Sequence, residues 1–304
     1  MSAGETDFIR SLRTLATHPA ARGLTDDAAV LGDLVLTHDM IAEGVHFLTN
    51  DPPEDVAWKL VAVNLSDLAA KGATPLGVLM GYALTGDRAW DAGFVAGLEA
   101  VLKQFDVPLL GGDTVSLPAG APRVFGLTAI GRAPASGAPS RSGAQAGDAL
   151  FVTGTIGDAG LGLAMAQGTL DGDASLLAAY RRPVPRLVEG QALAGQVHAM
   201  MDVSDGLLLD ASRMAEASGL AVSIDLDAVP LSPAFRQAKG ESRADQIKAA
   251  TAGDDYQLLF AAAPDAPLPA LATPIGRFAA GSGISLFDAD GPAPLPERLG
   301  YLHA

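Results

Sequence analysis

The sequence contains no cysteine, and this absence excludes several kinds of site at once. Without thiols the chain forms no disulfide, no thiolate zinc site and no cysteine nucleophile. Any metal ion that it binds is therefore expected to have oxygen ligands.

Long apolar runs and an excess of basic residues are also lacking. No run of about eighteen apolar residues occurs, and the N-terminal stretch lacks the apolar segment behind a basic head that is typical of a signal peptide. Acidic residues number 35 against 20 basic ones, a formal net charge of −15, and such a field repels nucleic acid and anionic lipid. We therefore predict a cytoplasmic protein whose partners include neither nucleic acid nor a membrane.

A phosphate-binding loop of the Walker type is missing, because the sequence has no Gly-Lys dipeptide. The glycine-rich run 154–162 follows a predicted strand, but its spacing is not that of the dinucleotide-binding fingerprint. We interpret this run as a structural turn, so a nucleotide site would have to be built from other groups.

What is present is a globular chain of 304 residues with 49% apolar residues, a length that favours two domains of about 150 residues each. Helical spacing predicts helices at 5–17, 51–70, 89–105, around 164, at 187–197 and 207–217. At the start of the second of these, Asp51 is predicted to cap the helix. Strand patterns are found at 28–31, 34–41, 76–84, 107–110, 124–130, 149–152, 200–203, 221–226, 257–262 and 284–287. The prediction is an α/β (α+β) fold with mixed sheets packed against helices.

The segment 132–147 consists mainly of Ala, Arg, Ser, Gly, Pro and Gln and has no apolar periodicity. It is the best candidate for a linker. We therefore predict an N-terminal domain over 1–135 and a C-terminal α/β domain over 146–304.

Asp67 is the first candidate for chemistry, because it is the only charged residue between Leu60 and Ala70 of a predicted helix that is otherwise mainly apolar. A carboxylate in such surroundings is predicted to be at least partly buried, which is unfavourable unless a cation or several donors hold it. The residues leave two readings open, a carboxylate satisfied by the protein itself or a metal ligand.

Other acids follow or flank predicted strands, where α/β folds bind their ligands. Of the neighbouring Asp26 and Asp27, alternation along an extended chain predicts that only one faces the site. Helix capping explains one acid of the pair Asp202 and Asp205, but not both. The full set comprises the segments 25–27, 37–39, 109–114 and 201–207.

Taken together, these acids require cations if the site binds phosphates. ATP and a phosphate monoester would bring about six negative charges into one cleft. Carboxylates in the same cleft would repel these phosphates unless hard cations lie between carboxylates and phosphates. The sequence therefore predicts several magnesium ions.

At this point the motifs are recognisable. They are the segments 26–28 (DDA), 62–73 (AVNLSDLAAKGA), 111–114 (GGDT), 202–207 (DVSDGL) and 254–256 (DDY). In this order and spacing the sequence resembles the thiamine-monophosphate kinases over nearly the whole chain. The resemblance implies the fold of aminoimidazole ribonucleotide synthetase, a homodimer that pairs through the N-terminal domains, and transfer of phosphate from ATP to thiamine monophosphate.

The resemblance also implies roles for individual residues. Magnesium would be bound by Asp27, Thr37, His38, Asp39, Asp67, Asp113, Asp202 and Asp205, of which Asp67 and Asp205 are also predicted to be catalytic. ATP would contact Gly112, Asp113, Arg141 and Ser204. Thiamine monophosphate would contact His46, Asp254 and Tyr301, with Asp254 standing where the family usually has a longer glutamate.

We expect a direct in-line transfer in which an ionised phosphate oxygen attacks, since its second pKa is about 6 and no general base is needed. Two alternatives stay open. One is another ATP-dependent enzyme of the same fold, similar to aminoimidazole ribonucleotide synthetase. The other is a nucleotide-binding regulator without catalytic activity.

Overall fold

The computed structural model describes residues 3–118, 120–268 and 272–302, so the outermost residues of the predicted domain ranges lie outside the described residues. The helices are α1 Ala3–Arg13, α2 Pro53–Ala70, α3 Arg88–Phe105, α4 Asp158–Ala166, α5 Ala174–Arg181, α6 Leu187–Leu193, α7 Leu207–Ser218, α8 Pro233–Ala238 and α9 Arg243–Ala250. The strands are β1 Ala29–Leu31, β2 Leu34–Ala42, β3 Thr74–Leu84, β4 Leu109–Ser116, β5 Val124–Arg132, β6 Ala149–Thr153, β7 Ala199–Asp202, β8 Leu220–Asp225, β9 Leu258–Ala262, β10 Ala272–Ala280, β11 Gly283–Asp288 and β12 Gly291–Ala293. The mixed α/β fold class predicted from the sequence is confirmed.

The N-terminal strands form a sheet in the order β1-β2-β5-β3-β4. Its pairings are antiparallel except for β3 with β4, which run parallel and are connected through α3. Helices α2 and α3 pack on each other, and an apolar core that includes Leu60, Phe94 and Phe125 lies between them and the sheet. Strand β4 extends through the Gly-Gly-Asp motif, further than the sequence predicted. At Gly112 a Cβ atom would lie only 1.9 Å from the carbonyl oxygen of Met80, so the tight pairing with β3 requires glycine there.

The C-terminal strands form a second mixed sheet in the order β12-β11-β8-β10-β6-β9-β7. Its core includes the buried side chains of Leu150, Leu208, Val222 and Phe278. The sequence did not predict α5, α8, α9 and β10. These elements are short or rich in small residues, so they carry little apolar periodicity of their own.

Helix α2 lies between the two sheets. It is buried on all sides over most of its length, and Ala69 and Ala70 pack with Phe151 and Phe260 of the C-terminal sheet. The helix begins at Pro53 and ends before Gly72, whose φ of +60° favours glycine. An amphipathic helix would leave one face in water, whereas this one brings its polar residues into the interface between the sheets.

The helix start differs in one respect from what the sequence suggests. Asp51 does not cap α2, since Pro52 occupies that position without a side-chain hydrogen bond. Asp51 instead accepts hydrogen bonds from the Tyr180 hydroxyl at 2.9 Å and the Arg181 Nε at 2.9 Å. The carboxylate therefore joins α5 to the N-terminal half of the chain.

The predicted linker has no helix or strand between Arg132 and Ala149. It is nevertheless well packed, because Arg22 donates to the carbonyls of Ala138 and Pro139 and the carbonyl of Ser140 accepts from the Met200 amide at 3.0 Å. Within the part of the chain that the structure describes, no helix is long and apolar enough to cross a membrane.

Candidate active site

The Asn-Leu-Ser-Asp segment of α2 places polar side chains towards both sheets. Asn64 accepts a hydrogen bond from the Asp39 amide of β2 at 2.9 Å. Asp67, one helical turn further, accepts from the Thr37 hydroxyl, also of β2. Ser66 points the other way and donates to Asp202 of β7 at 2.6 Å. One turn of helix thereby brings acids from both halves of the chain together.

The turn between β7 and α7 is organised by an acid that the sequence did not single out. Asp210, fully buried on α7, accepts hydrogen bonds from the amides of Ser204 at 3.1 Å and Asp205 at 3.0 Å. Arg213 donates to Asp210 at 2.9 Å and also to the Asp205 carboxylate. The signal available from sequence was an aspartate on the buried face of α7, three residues before an arginine.

The first acidic pair is bound by cations of the chain itself. Lys71, fully buried at the end of α2, forms ion pairs with Asp26 and with Asp27, the latter at 2.7 Å. Arg141 forms an ion pair with Asp27 from the other side. Burial alone would raise the pKa of Asp27, but Lys71 and Arg141 hold that pKa below its usual value. Both acidic side chains are thus buried and paired with Lys71.

No lysine or arginine in the part of the chain that the structure describes forms an ion pair with Asp39, Asp67 or Asp202. Burial raises the pKa of Asp67 well above its usual value, and the charges of Asp39 and Asp202 raise it further. The pKa of Asp39 rises to about 6, chiefly through burial, although a side-chain hydrogen bond with Asp67 opposes the rise. Burial and the charge of Asp27 raise the pKa of Asp202 well above its usual value. These carboxylates are close enough to repel one another. The site therefore carries more negative charge than the cationic side chains around it neutralise.

These acids line a cavity of about 630 Å³ between the two halves of the chain. Its wall includes eight of the residues predicted for the site, namely Asp39, His46, Asp67, Asp202, Ser204, Asp205, Asp254 and Tyr301. Apolar side chains such as Met40, Ile41, Val63 and Leu163 complete it. A cavity lined by both carboxylates and apolar side chains suits a ligand that carries anionic groups and rings, provided that cations accompany it.

Six predicted site residues lie outside the cavity wall. Asp27 and Thr37 lie directly behind it, since they contact Lys71 and Asp67 as described above. Arg141 is bound to Asp27. His38 is exposed on β2, with its Nδ1 atom 2.8 Å from the Thr128 hydroxyl oxygen. Gly112 and Asp113 are exposed on the edge strand β4.

Among the described residues, no three His, Asp or Glu side chains already form a metal coordination site. The physical reason is that several carboxylates are bound to groups of the protein itself. Asp27 contacts Lys71 and Arg141, whereas Asp205 contacts Arg213. The donor set is nevertheless made of carboxylate and hydroxyl oxygens, the ligands that magnesium prefers, and its excess negative charge fits a divalent cation.

The residues predicted to contact the acceptor also line the cavity. The His46 Nδ1 accepts from the Ala42 amide at 3.1 Å, which closes the turn after β2. Asp254 accepts from Lys59 at 2.7 Å and from the Tyr256 hydroxyl at 3.1 Å. The Tyr301 amide donates to the Asp205 carbonyl at 2.8 Å, while its side chain is 48% exposed. Lys59 was not identified from the sequence, because a lysine on a helix usually lies in solvent.

The glycine-rich run before α4 does not offer free amides to a phosphate. The Gly157 amide donates to both oxygens of Asp255, at 3.0 and 2.9 Å. Asp255 thus occupies the N-terminal end of α4, which agrees with the interpretation of this run as a structural turn.

Comparisons with known proteins agree with this geometry. The family model "AIR synthase related protein, N-terminal domain" matches residues 25–133, and "AIR synthase related protein, C-terminal domain" matches residues 145–287. The thiamine-monophosphate kinase of Caulobacter vibrioides is 41% identical over 98% of this chain and 90% of its own length. That of Salmonella typhimurium is 39% identical over 78% of this chain and 75% of its own length.

Two solved structures are similar over almost the entire chain. AaThiL complexed with AMPPCP and TMP superposes with a TM-score of 0.87 at 28% identity, covering 99% of this chain and 97% of that one. Thiamine-monophosphate kinase from Stenotrophomonas maltophilia gives a TM-score of 0.76 at 37% identity, covering 95% and 96%. The site geometry, the two matched domain models and these relatives lead to one conclusion: the chain belongs to the AIR synthase related family and, within it, to the thiamine-monophosphate kinases.

Proposed function

We propose that this protein transfers the terminal phosphate of ATP to thiamine monophosphate and so produces thiamine diphosphate. Membership of the kinase family supports the reaction, and the relative complexed with AMPPCP and TMP supports the two substrates. The observation that carries the proposal is the convergence of Asp39, Asp67 and Asp202, from β2, α2 and β7, on one cavity.

Magnesium ions would be held by the oxygen-rich end of the cavity. We assign to this role the residues implied by the family resemblance that line the cavity or lie beside it, Asp27, Thr37, Asp39, Asp67, Asp202 and Asp205. The resemblance also implies His38 and Asp113, which are exposed outside the cavity. When bound there, magnesium would supply positive charge that neutralises the phosphates. In its absence, buried carboxylates repel one another, as the raised pKa values of Asp67 and Asp202 indicate.

The protein's own groups would align the two substrates. Ser204, on the turn fixed by Asp210, would contact ATP together with Gly112, Asp113 and Arg141. Arg141 is a planar donor suited to phosphate, and it would have to leave Asp27 to bind there. The acceptor, held by His46, Asp254 and Tyr301, would present a phosphate oxygen that is already ionised near neutral pH. Rate enhancement would then come from alignment and charge neutralisation, and no side chain would need to remove a proton.

We also propose a homodimer that forms through the N-terminal domain. Strand β4 is exposed along its whole length at the edge of its sheet, and it carries Leu109, Leu110 and Val115, each about half exposed. An apolar, unpaired edge strand is unfavourable in water and favours association. Light scattering is expected to give twice the chain mass, and Val115→Asp is expected to give a monomer. A wild-type monomer at micromolar concentration would contradict this proposal.

The reaction itself is tested by incubating the purified protein with ATP, magnesium chloride and thiamine monophosphate, followed by chromatography of the products. Thiamine diphosphate and ADP are expected in equal amounts. Binding of ATP without consumption would favour a regulator instead. ATP consumption that does not depend on thiamine monophosphate would favour another enzyme of the same fold.

A further inference from the structure

Helix α2 carries a second buried lysine besides Lys71, nearer the start of the helix. Lys59 is only 2% exposed. Its ammonium group lies 4.2 Å from the centre of the Tyr180 ring and donates to the carbonyl of His46 at 2.9 Å and to the carboxylate of Asp254 at 2.7 Å. A buried ammonium group is unfavourable unless it is paired, so these contacts fix its position.

The two partners of Lys59 come from different halves of the chain. His46 follows β2 of the N-terminal sheet, whereas Asp254 lies between α9 and β9 of the C-terminal half. Both line the cavity, but Lys59 does not. One ammonium group therefore sets the distance between two residues of the cavity wall that are far apart in the sequence.

The conformation of Asp254 shows why such a contact matters. Its φ is +69°, in the left-handed region, which is uncommon for a residue with a side chain. Its amide donates to the carbonyl of Ser204 at 2.8 Å, and the Tyr256 hydroxyl donates to its Oδ1 atom. Lys59 holds the remaining oxygen, Oδ2. With both oxygens engaged, the carboxylate has one orientation, and its unused lone pairs point in fixed directions.

We propose that Lys59 is a positioning residue for the acceptor substrate, acting through Asp254 while the His46 carbonyl anchors its ammonium group. This inference rests on the proposed function, because it treats the end of the cavity at His46 and Asp254 as the site of thiamine monophosphate. Lys59 touches neither substrate. It preorganises the wall against which the acceptor binds, so its loss weakens acceptor binding and leaves ATP binding unchanged.

The test is Lys59→Met, which keeps the length of the side chain and removes its charge, measured by steady-state kinetics against each substrate separately. The loss of one charge-assisted hydrogen bond corresponds to a rise of roughly ten- to hundred-fold in the KM for thiamine monophosphate. We expect kcat to fall less than about threefold and the KM for ATP to stay within about twofold. Lys239→Met, at an exposed lysine after α8, is the matched control and is expected to behave as wild type.

Two results would overturn the inference. One is an unchanged KM for thiamine monophosphate, and the other is an equal rise in both KM values, as expected of a purely structural lysine. Wild-type protein that forms no thiamine diphosphate would instead overturn the proposed function, so the two failures are distinct.

A double-mutant comparison keeps the inference testable if the single variant fails to fold. Lys59→Met is combined with Asp254→Asn, which removes both charges together, and the result is compared with Asp254→Asn alone. If Lys59 acts through Asp254, the second substitution adds less than about twofold to the KM for thiamine monophosphate. A further rise of tenfold or more would show an independent role and contradict the inference.

Discussion

The cavity wall contains two groups of residues, which we call its carboxylate end and its acceptor end, and they are built in different ways. Its carboxylate end, Asp39, Asp67 and Asp202, lies on two strands and a helix. Asp67 and Asp202 are buried and Asp39 is half-buried. Its acceptor end, His46, Asp254 and Tyr301, lies on connecting segments, and Tyr301 is 48% exposed.

This contrast separates two requirements of phosphate transfer. Carboxylates that must be placed accurately lie on strands and a helix, which are rigid. Residues that recognise one particular acceptor lie on connecting segments, which tolerate changes of sequence. Substitutions at the carboxylate end should therefore affect turnover, and substitutions at the acceptor end should affect acceptor binding.

The largest effect is expected for Asp67→Asn. This change removes a charge from the carboxylate cluster while it keeps the shape of the side chain, so kcat/KM should fall by roughly a thousandfold. The melting temperature of the metal-free protein should not fall, because repulsion with Asp39 and Asp202 is relieved. Asp171→Asn, at an exposed site, is the control. Near-normal turnover of Asp67→Asn at saturating magnesium would contradict this prediction.

A smaller loss is expected for Asp210→Ala, which leaves the amides of Ser204 and Asp205 without their acceptor. The turn would lose its fixed position, so kcat should fall by roughly ten- to a hundredfold. Each unsatisfied amide costs about 1–3 kcal/mol of stability, so the melting temperature should fall as well. Asp210→Asn retains one acceptor oxygen and should lose less in both measurements. If the alanine variant turned over as fast as wild type, the turn would not need Asp210.

The carboxylate end also predicts a pH dependence of stability without magnesium. Burial raises the pKa of Asp39 to about 6 and that of Asp210 to about 7, against about 4 in an unfolded chain. The folded protein therefore binds protons more tightly than the unfolded chain, and these groups stabilise it at low pH. Their contribution is lost as pH rises from about 4 to 7, at about 1.4 kcal/mol for each pKa unit by which a group is raised.

Chemical denaturation in EDTA between pH 4 and 7 measures this effect, with Asp39→Asn as the variant. The slope should be shallower in Asp39→Asn, and magnesium should raise stability more at pH 7 than at pH 5. A stability that increases steadily over this range in EDTA would show that the cluster is not strained by its own charge.

The smallest effect is expected at the acceptor end, for Tyr301→Leu. The backbone of Tyr301 is held by Asp205, so the change affects only a half-exposed side chain. The KM for thiamine monophosphate should rise about threefold, with kcat and the KM for ATP unchanged. A loss of kcat comparable to that of Asp210→Ala would mean that the two ends of the cavity are not functionally separate.

Much of the fold could be predicted from the sequence because apolar periodicity reports which face of an element is buried. The prediction for α2 extended to function, since a single acid in an apolar helix must be buried and compensated, and Asp67 is indeed buried. The prediction for Asp51 was wrong because a capping pattern is local, whereas Tyr180 and Arg181 lie far along the chain.

The partners of each charge could not be predicted from the sequence. Asp26 and Asp27 were treated as alternating along a strand, yet both meet Lys71, which comes from the end of α2. Lys59 gave no local signal and Asp210 only its spacing from Arg213, because their roles depend on groups that only the folded chain brings within hydrogen-bonding distance.

The sequence by itself determined the fold class, the family and the set of acidic motifs, because these depend on residue type, spacing and order. The tertiary structure decided which carboxylates are compensated by Lys71 and Arg141 and which are left to repel one another. The reason is physical: electrostatic energy depends on distance and burial, and neither is defined until the two sheets close around α2.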